Sequence, residues 1–281
     1  MKKFLIVSCL LLSMLCGAQS LEDVRYSPED VVNFNEVMEL LTPVKDAPVS
    51  ELVIMTAKHF LGTDYVSFTL ELEPEMLTVS TTRTDCILFV EMCLAMSLTA
   101  KEDSPDFGKY CDNLRKLRYR DGVVDGYASR VHYTSEWIHQ GEARGLFEEI
   151  TKDLGGVPYD QKFFYMSTHP DFYKQLKDNP RETARIKAVE KDLEKFDYYL
   201  MPKDRLEEMV DGIETGDIVC FNERTPGIDI AHVAYAYRDG DKLTFIHASS
   251  TAKKVVINST PLVEYTRGIN AHNGLRIVRL K

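Results

Sequence analysis

Three residues of this chain have the types and the spacing for covalent chemistry: Cys86, near a helix start, and His232 and His247, on the two arms of one hairpin. The hairpin reads as Ile230–Tyr237, a turn through Arg238-Asp239-Gly240-Asp241, and then Lys242–Ser249. Asp-Gly between two β-rich runs favours a two-residue loop. With Asp239-Gly240 as that loop, Arg238 faces Asp241 and His232 faces His247 directly, with Cβ atoms about 4.5–5.5 Å apart. A slip of two residues keeps both histidines on one face, whereas a slip of one separates them. Two imidazoles so placed, with a thiol docked nearby, give a cysteine nucleophile its base and the base an orienting partner.

Cys86 lies in Thr82-Arg83-Thr84-Asp85-Cys86-Ile87-Leu88-Phe89-Val90-Glu91. Thr82 with Asp85 fits a capping box, and Thr84 is the alternative cap. The apolar run from Cys86 to Leu98 then reads as a buried helix with Cys86 in its first turn. The positive end of the helix dipole and a neighbouring histidine are expected to favour thiolate there. Taken alone, a cysteine on such a helix is as readily an inert core residue; the histidine hairpin tips the reading toward function.

Those groups need a scaffold and a compartment. Residues 1–20 read as a secretory signal: Lys2 and Lys3, an apolar Phe4–Leu15, and small residues at Cys16-Gly17-Ala18, with cleavage expected after Ala18. Lipid attachment at Cys16 is the competing reading, disfavoured by the bulk of Leu15. The apolar stretch is short of the roughly 20 residues of a membrane span, and no integral span is expected. The chain has 34 basic and 44 acidic residues; losing Lys2 and Lys3 leaves 32 against 44, net −12. Such a charge argues against nucleic acid and anionic membranes as partners. Cys86, Cys93, Cys111 and Cys220 would remain, too few for a disulfide scaffold. Cys86 and Cys93 lie two turns apart and cannot bridge; a Cys111–Cys220 pair is left open.

Along the chain, residues 28–41 read as a helix starting at Ser27-Pro28, and Glu51–Leu61 as a second ending at Gly62. Val66–Leu72 and Leu77–Thr81 alternate like strands about Glu73-Pro74-Glu75. Residues from about 104 to 211 read as mostly helical and loop-rich. Asn179-Pro180 opens an amphipathic helix with Ile186, Val189, Leu193 and Phe196 on one face. Gly216 to Phe221 turns into a buried strand, and Gly274–Leu280 closes the sheet. A cysteine-bearing helix against a histidine-bearing antiparallel sheet makes the fold α+β.

Several strings carry a resemblance. Leu61-Gly62-Thr63-Asp64-Tyr65, Asp85-Cys86, Gly216-Asp217-Ile218-Val219, His232 and His247 follow the order of the NlpC/p60 cell-wall peptidases. Thr84 to Glu91, Arg130 to Trp137, Gly227 to His232 and His247-Ala248-Ser249-Ser250 resemble that superfamily's N-acetylmuramoyl-L-alanine amidase-like branch, over roughly residues 50–280. The resemblance implies a papain-like core in one domain, 21–281, with a large mostly helical insertion at about 104–211. It implies Cys86 as nucleophile, His232 as general base and His247 as the group orienting it. Asp85, Tyr65 and Arg130, with Tyr133, Ser135, Trp137 and Ser249, become the expected substrate contacts. The implied substrate is a peptidoglycan fragment (a muropeptide), cut between N-acetylmuramic acid and L-alanine in the periplasm by a monomer without cofactor. Ile87-Leu88, where ordinary members have Ser-Gly, and the 146 residues between Cys86 and His232 point to a rebuilt groove.

Blander readings stand beside these. Asp85 serves equally as a helix cap, and Trp137 as a core residue or a stacking surface. His132, Glu136 and His139, at i, i+4 and i+7, could share a helix face as metal ligands, but no further Cys/His cluster completes a shell, so no metal is expected. The rival functions are a D-glutamyl-diamino acid endopeptidase of stem peptides and an idle cell-wall binding module. A thiol-redox protein is disfavoured because the chain has no Cys-x-x-Cys.

Overall fold

The structure, a computed structural model, describes residues 21–281; the expected signal segment, 1–20, lies outside the described residues. Among these, eight α-helices run in chain order: α1 (Pro28–Leu41), α2 (Val49–His59), α3 (Cys86–Ala100), α4 (Phe107–Arg118), α5 (Thr134–Ala143), α6 (Tyr165–Thr168), α7 (Pro180–Leu193) and α8 (Leu262–Gly268). The strands are β1 (Val24–Arg25), β2 (Asp64–Tyr65), β3 (Leu77–Thr78), β4 (Arg83–Thr84), β5 (Phe147–Glu149), β6 (Val157–Tyr159), β7 (Tyr198–Pro202), β8 (Ile218–Glu223), β9 (Ile230–Asp239), β10 (Lys242–Ser249), β11 (Lys254–Ile257) and β12 (His272–Leu280). No described helix is long and apolar enough to cross a membrane. The fold is α+β around one mixed sheet in the order β4-β2-β11-β10-β9-β8-β12-β7-β6, with β5 also on β12.

Local chemistry accounts for the helices that frame the site. Ser27 caps α1 through a capping box: its hydroxyl accepts from the Asp30 N–H (3.3 Å), and Asp30 accepts from the Ser27 N–H (2.7 Å). The other oxygen of Asp30 accepts from the Thr81 N–H at 2.6 Å and so ties the helix to the approach to Cys86. Helix α3 is apolar all round, and from Leu88 onward nearly every residue is buried, as such a helix must be. Its one buried carboxylate, Glu91, accepts from Arg118 on α4 at 2.8 Å. On the sheet side, the Tyr235 hydroxyl of β9 donates to the Val90 carbonyl of α3 at 2.7 Å, fixing the cysteine helix to the histidine strand.

Three expectations about elements are corrected. The 66–72 segment is not a strand: Phe68 stands at φ +62°, and the Arg130 guanidinium takes the Glu71 and Glu75 carboxylates and the Leu70 carbonyl. Strand β3 pairs with β1 instead, in parallel. Residues 104–211 hold α4 to α7, but they also supply β5, β6 and β7 to the sheet. Phe196 lies beyond the end of α7, exposed, and stacks on His139 at 3.8 Å.

The hairpin register also differs. Asp239 pairs with Lys242 and Tyr235 with Ile246, so the loop is Gly240-Asp241. Gly240, at φ +61°, occupies the first loop position, where a type II′ turn needs glycine. The pairing is thus two residues from the expected one. Parity is preserved, and the histidines become diagonal neighbours on one face rather than direct opposites.

Candidate active site

Cys86 is the first residue of α3. The cap is Asp85, whose Oδ1 accepts from the Leu88 N–H at 3.0 Å, and neither Thr82 nor Thr84. Thr84 cannot cap, because it belongs to β4, and its hydroxyl donates to the Asp85 carbonyl. Thr84 pairs in parallel with Tyr65 of β2, so the sheet edge aims the start of the helix.

The histidines meet through ring nitrogens: His232 Nε2 lies 2.7 Å from His247 Nδ1, with the ring planes at 80°. A β-bulge sits beside His232, since Phe221 pairs with His232 but Asn222 pairs with Ile230, leaving Ala231 unpaired on β9. Bulges of this kind re-aim a side chain at a strand end. His247 is 2% exposed and packs against Phe245 at 4.7 Å and Tyr265 at 6.1 Å. A cavity of about 170 Å³ is lined by Cys86 and His232 together with Ile87, His132, Trp137 and Val233. Cys86 and His232 thus line one space, and His247, bonded to His232, is not on its lining.

The electrostatics correct one expectation. The Cys86 thiol is not pulled toward thiolate: burial pushes it up to about 12 and the Asp85 carboxylate adds to this, while the N–H groups of Val233, Ile87 and Cys86 itself pull the other way. Desolvation outweighs the helix terminus. Burial, then His247 and His272, hold His232 well below the ordinary histidine range. Burial lowers His247 to about 4, although Asn258 beside it favours the charged form; no hydrogen bond of good geometry reaches its Nε2. Both shifts favour the uncharged forms, a neutral thiol and a neutral imidazole.

The expected substrate contacts separate into two groups. Tyr65 is half-buried and close enough for the charges of Cys86 and Asp85 to raise its hydroxyl, after burial. Asp85 and Arg130 line a second cavity beside the first. The others also bond or pack within the scaffold. Ser135 is fully buried, donating its N–H to Asp229 (2.7 Å) and accepting from Arg276 (2.6 Å), which is itself paired with Glu149. Tyr133 lines the Cys86 cavity, and its hydroxyl donates to Glu190 at 2.8 Å. Trp137 is 3% exposed and stacked on Phe147 at 4.6 Å, so it offers a cavity wall rather than an open stacking surface. Ser249 accepts from the Ala252 N–H and closes a turn.

The metal-ligand geometry does not form. His132 precedes α5 and its Nε2 lies 2.9 Å from the Tyr127 carbonyl, Glu136 is paired with Arg120, and His139 stacks on Phe196. Cys111 and Cys220 are both free and buried. Two residues at the site were not anticipated. Tyr265 of α8 covers Phe245 and His247, and its hydroxyl is raised by burial and then by the nearby Cys86. His272 lies 5.0 Å from Phe221 and is lowered to about 4, chiefly by burial. No spacing in the sequence marks either one, since only the sheet and α8 bring them there.

Comparison with known proteins follows this geometry. The N-acetylmuramoyl-L-alanine amidase-like family model (AmiA-like) matches residues 55–273. A crystal structure of an N-acetylmuramoyl-L-alanine amidase from Bacteroides uniformis is 36% identical, with a TM-score of 0.79, over 83% of this chain and 99% of that one. A Bacteroides fragilis structure provisionally named a xylanase is also 36% identical, TM-score 0.75, over 80% and 99%. A Legionella pneumophila protein of the DUF1460 family, 19% identical with a TM-score of 0.66 over 90% and 95%, shares the fold. No curated protein matches. The assignment to the NlpC/p60 superfamily is overturned, because the family found over residues 55–273 is the AmiA-like one and these relatives carry no NlpC/p60 description. With the model spanning most of the chain and relatives more than a third identical over four-fifths of it, the chain belongs to the AmiA-like, N-acetylmuramoyl-L-alanine amidase-like family.

Proposed function

We propose that this chain is an exported, periplasmic cysteine amidase, acting as a monomer, that hydrolyses the amide between the lactyl group of N-acetylmuramic acid and L-alanine in peptidoglycan fragments. The observation that carries the reading is one cavity lined by both Cys86 and His232, with His247 bonded to Nε2 of His232. Because Nε2 of His232 is engaged, Nδ1 is the nitrogen free to take the thiol proton. His232 Nε2–H then donates to His247 Nδ1, which sets the tautomer.

The chemistry is acyl transfer. Sγ of Cys86 passes its proton to His232 and attacks the lactyl carbonyl. The oxyanion forms beside the N–H groups of Cys86 and Ile87 in the first helical turn, which have no intrahelical partners. His232 gives the proton to the departing L-alanine amine. Water, deprotonated by His232, then clears the thioester and leaves a free lactyl carboxylate.

The test is digestion of a defined disaccharide-tetrapeptide followed by mass spectrometry. Expected products are a sugar with a free lactyl acid and a peptide beginning with L-alanine, with no turnover by a folded Cys86→Ala protein. Sugar still carrying L-Ala-D-Glu would refute the bond assignment, and an active Cys86→Ala protein would refute the nucleophile.

A further inference from the structure

The second cavity, about 220 Å³, adjoins the Cys86 cavity and shares Ile87, Val131 and His132 with it. One wall is the 66–71 segment. Phe68 stands on it 80% exposed, at φ +62°, a conformation that bulky side chains rarely hold. The segment is not loose. Arg130, itself 6% exposed, bonds to Glu71 at 2.9 Å and to Glu75 at 2.9 Å, and the Tyr119 hydroxyl donates to Glu75 at 2.7 Å. A segment held by these bonds therefore places an exposed aromatic ring on the lining of a cavity that shares three residues with the cavity of Cys86. The same lining carries Asp85, Glu91, Arg118 and Arg130, and Thr69, whose buried hydroxyl oxygen has no hydrogen-bond partner.

We propose that this second cavity is the sugar subsite, with the pyranose ring of the muramoyl group laid against Phe68 and its hydroxyls bonded by the charged groups of the same lining. The inference rests on the proposed amidase reading. A pyranose has a flat C–H face and a rim of hydroxyls, which matches one exposed aromatic on a lining with carboxylates and guanidiniums. Charge points the same way. Glu71, Asp85 and Glu91 outnumber Arg118 and Arg130 on the lining, and both guanidiniums are already paired. With its lactyl carboxyl tied up as an amide, the sugar is neutral and tolerated there. The stem peptide, carrying the D-glutamate carboxylate, is repelled, so it extends on the Trp137 side, where no carboxylate lines the cavity.

The test compares N-acetylmuramoyl-L-Ala-D-Glu with D-lactyl-L-Ala-D-Glu, the same amide without the sugar ring. Phe68→Ala should raise KM on the sugar substrate about five- to tenfold, leave kcat within about twofold, and leave the sugar-free substrate unaffected. Phe68→Trp should retain the wild-type KM. Phe68→Gly should share the KM increase without a lower melting temperature, because glycine accepts the positive φ; this separates lost binding from lost folding. An unchanged KM for Phe68→Ala, or an equal shift on the sugar-free substrate, overturns the subsite while leaving the amidase reading intact. A direct binding measurement covers the opposite failure. N-acetylmuramic acid methyl amide is titrated calorimetrically into Cys86→Ala protein with and without Phe68→Ala. Weaker binding in the double variant supports the subsite whichever bond the enzyme cuts; equal or absent binding overturns it.

Discussion

Replacing His247 by alanine tests the proposed catalytic geometry most sharply, because this residue bonds to the proposed base, His232, without lining the cavity. The 2.7 Å contact to His232 Nε2 is a bond between neutral rings in the resting site and a bond to a cation once His232 takes the thiol proton. Hydrogen bonds to charged groups are worth about 1.5–3 kcal/mol against about 1 for neutral ones. The transition-state share is therefore roughly 0.5–2 kcal/mol, about 2- to 30-fold in rate. Loss of the partner also lets His232 place its proton on Nδ1, where it can no longer accept from Cys86, so the expected fall in kcat is about 10- to 100-fold. KM should change little. The assay is steady-state release of L-alanine-terminated peptide, with a melting curve to correct for the cavity left against Phe245. His247→Gln, which keeps an acceptor, should recover part of the loss. A His247→Ala enzyme within twofold of wild-type kcat would refute the idea that the histidine pair acts as a unit.

Two further outcomes follow from the same site. Of the described cysteines Cys86 alone is not buried, so iodoacetamide should label it first. With the thiol held up to about 12, labelling should keep accelerating above pH 8; a plateau below pH 7 would show that the histidine holds it as thiolate after all. His272 is lowered to about 4 in the fold against about 6.5 unfolded, so the unfolded chain binds more protons between those values. Its contribution is full above pH 6.5 and is lost as pH falls toward 4. Allowing for partial solvent access, the loss is on the order of 1–2 kcal/mol. Urea unfolding at pH 7, 5.5 and 4.5 should give a flatter acid decline for His272→Phe than for wild type, and an identical slope would dismiss the linkage.

What could be read from the chain alone was local. Ser27-Pro28 with Asp30 defines a helix start through bonds within four residues. Cys86 in the first turn follows from a polar run meeting a fully apolar one. Shared parity of His232 and His247 survives any even slip of their hairpin, which is why the pair was visible although its register was off by two. The strings around Cys86, Arg130 and His247 reached the amidase-like family but overextended to a superfamily that the comparisons do not support.

Tertiary structure decided the rest, because burial and partner choice belong to distant residues. The pairing of Arg130 with Glu71 and Glu75 depends on a loop 55–59 positions away. Ser135 is hidden by Arg276, 141 residues on, and Trp137 is covered by Phe147. The acidity of Cys86 reversed for the same reason: a helix terminus acts over one turn, while desolvation is set by everything packed around the sulfur. Tyr265, His272 and the Phe68 cavity arise only when α8, β12 and the 66–71 segment are brought against one sheet and one helix, a juxtaposition that no run of neighbouring residues encodes.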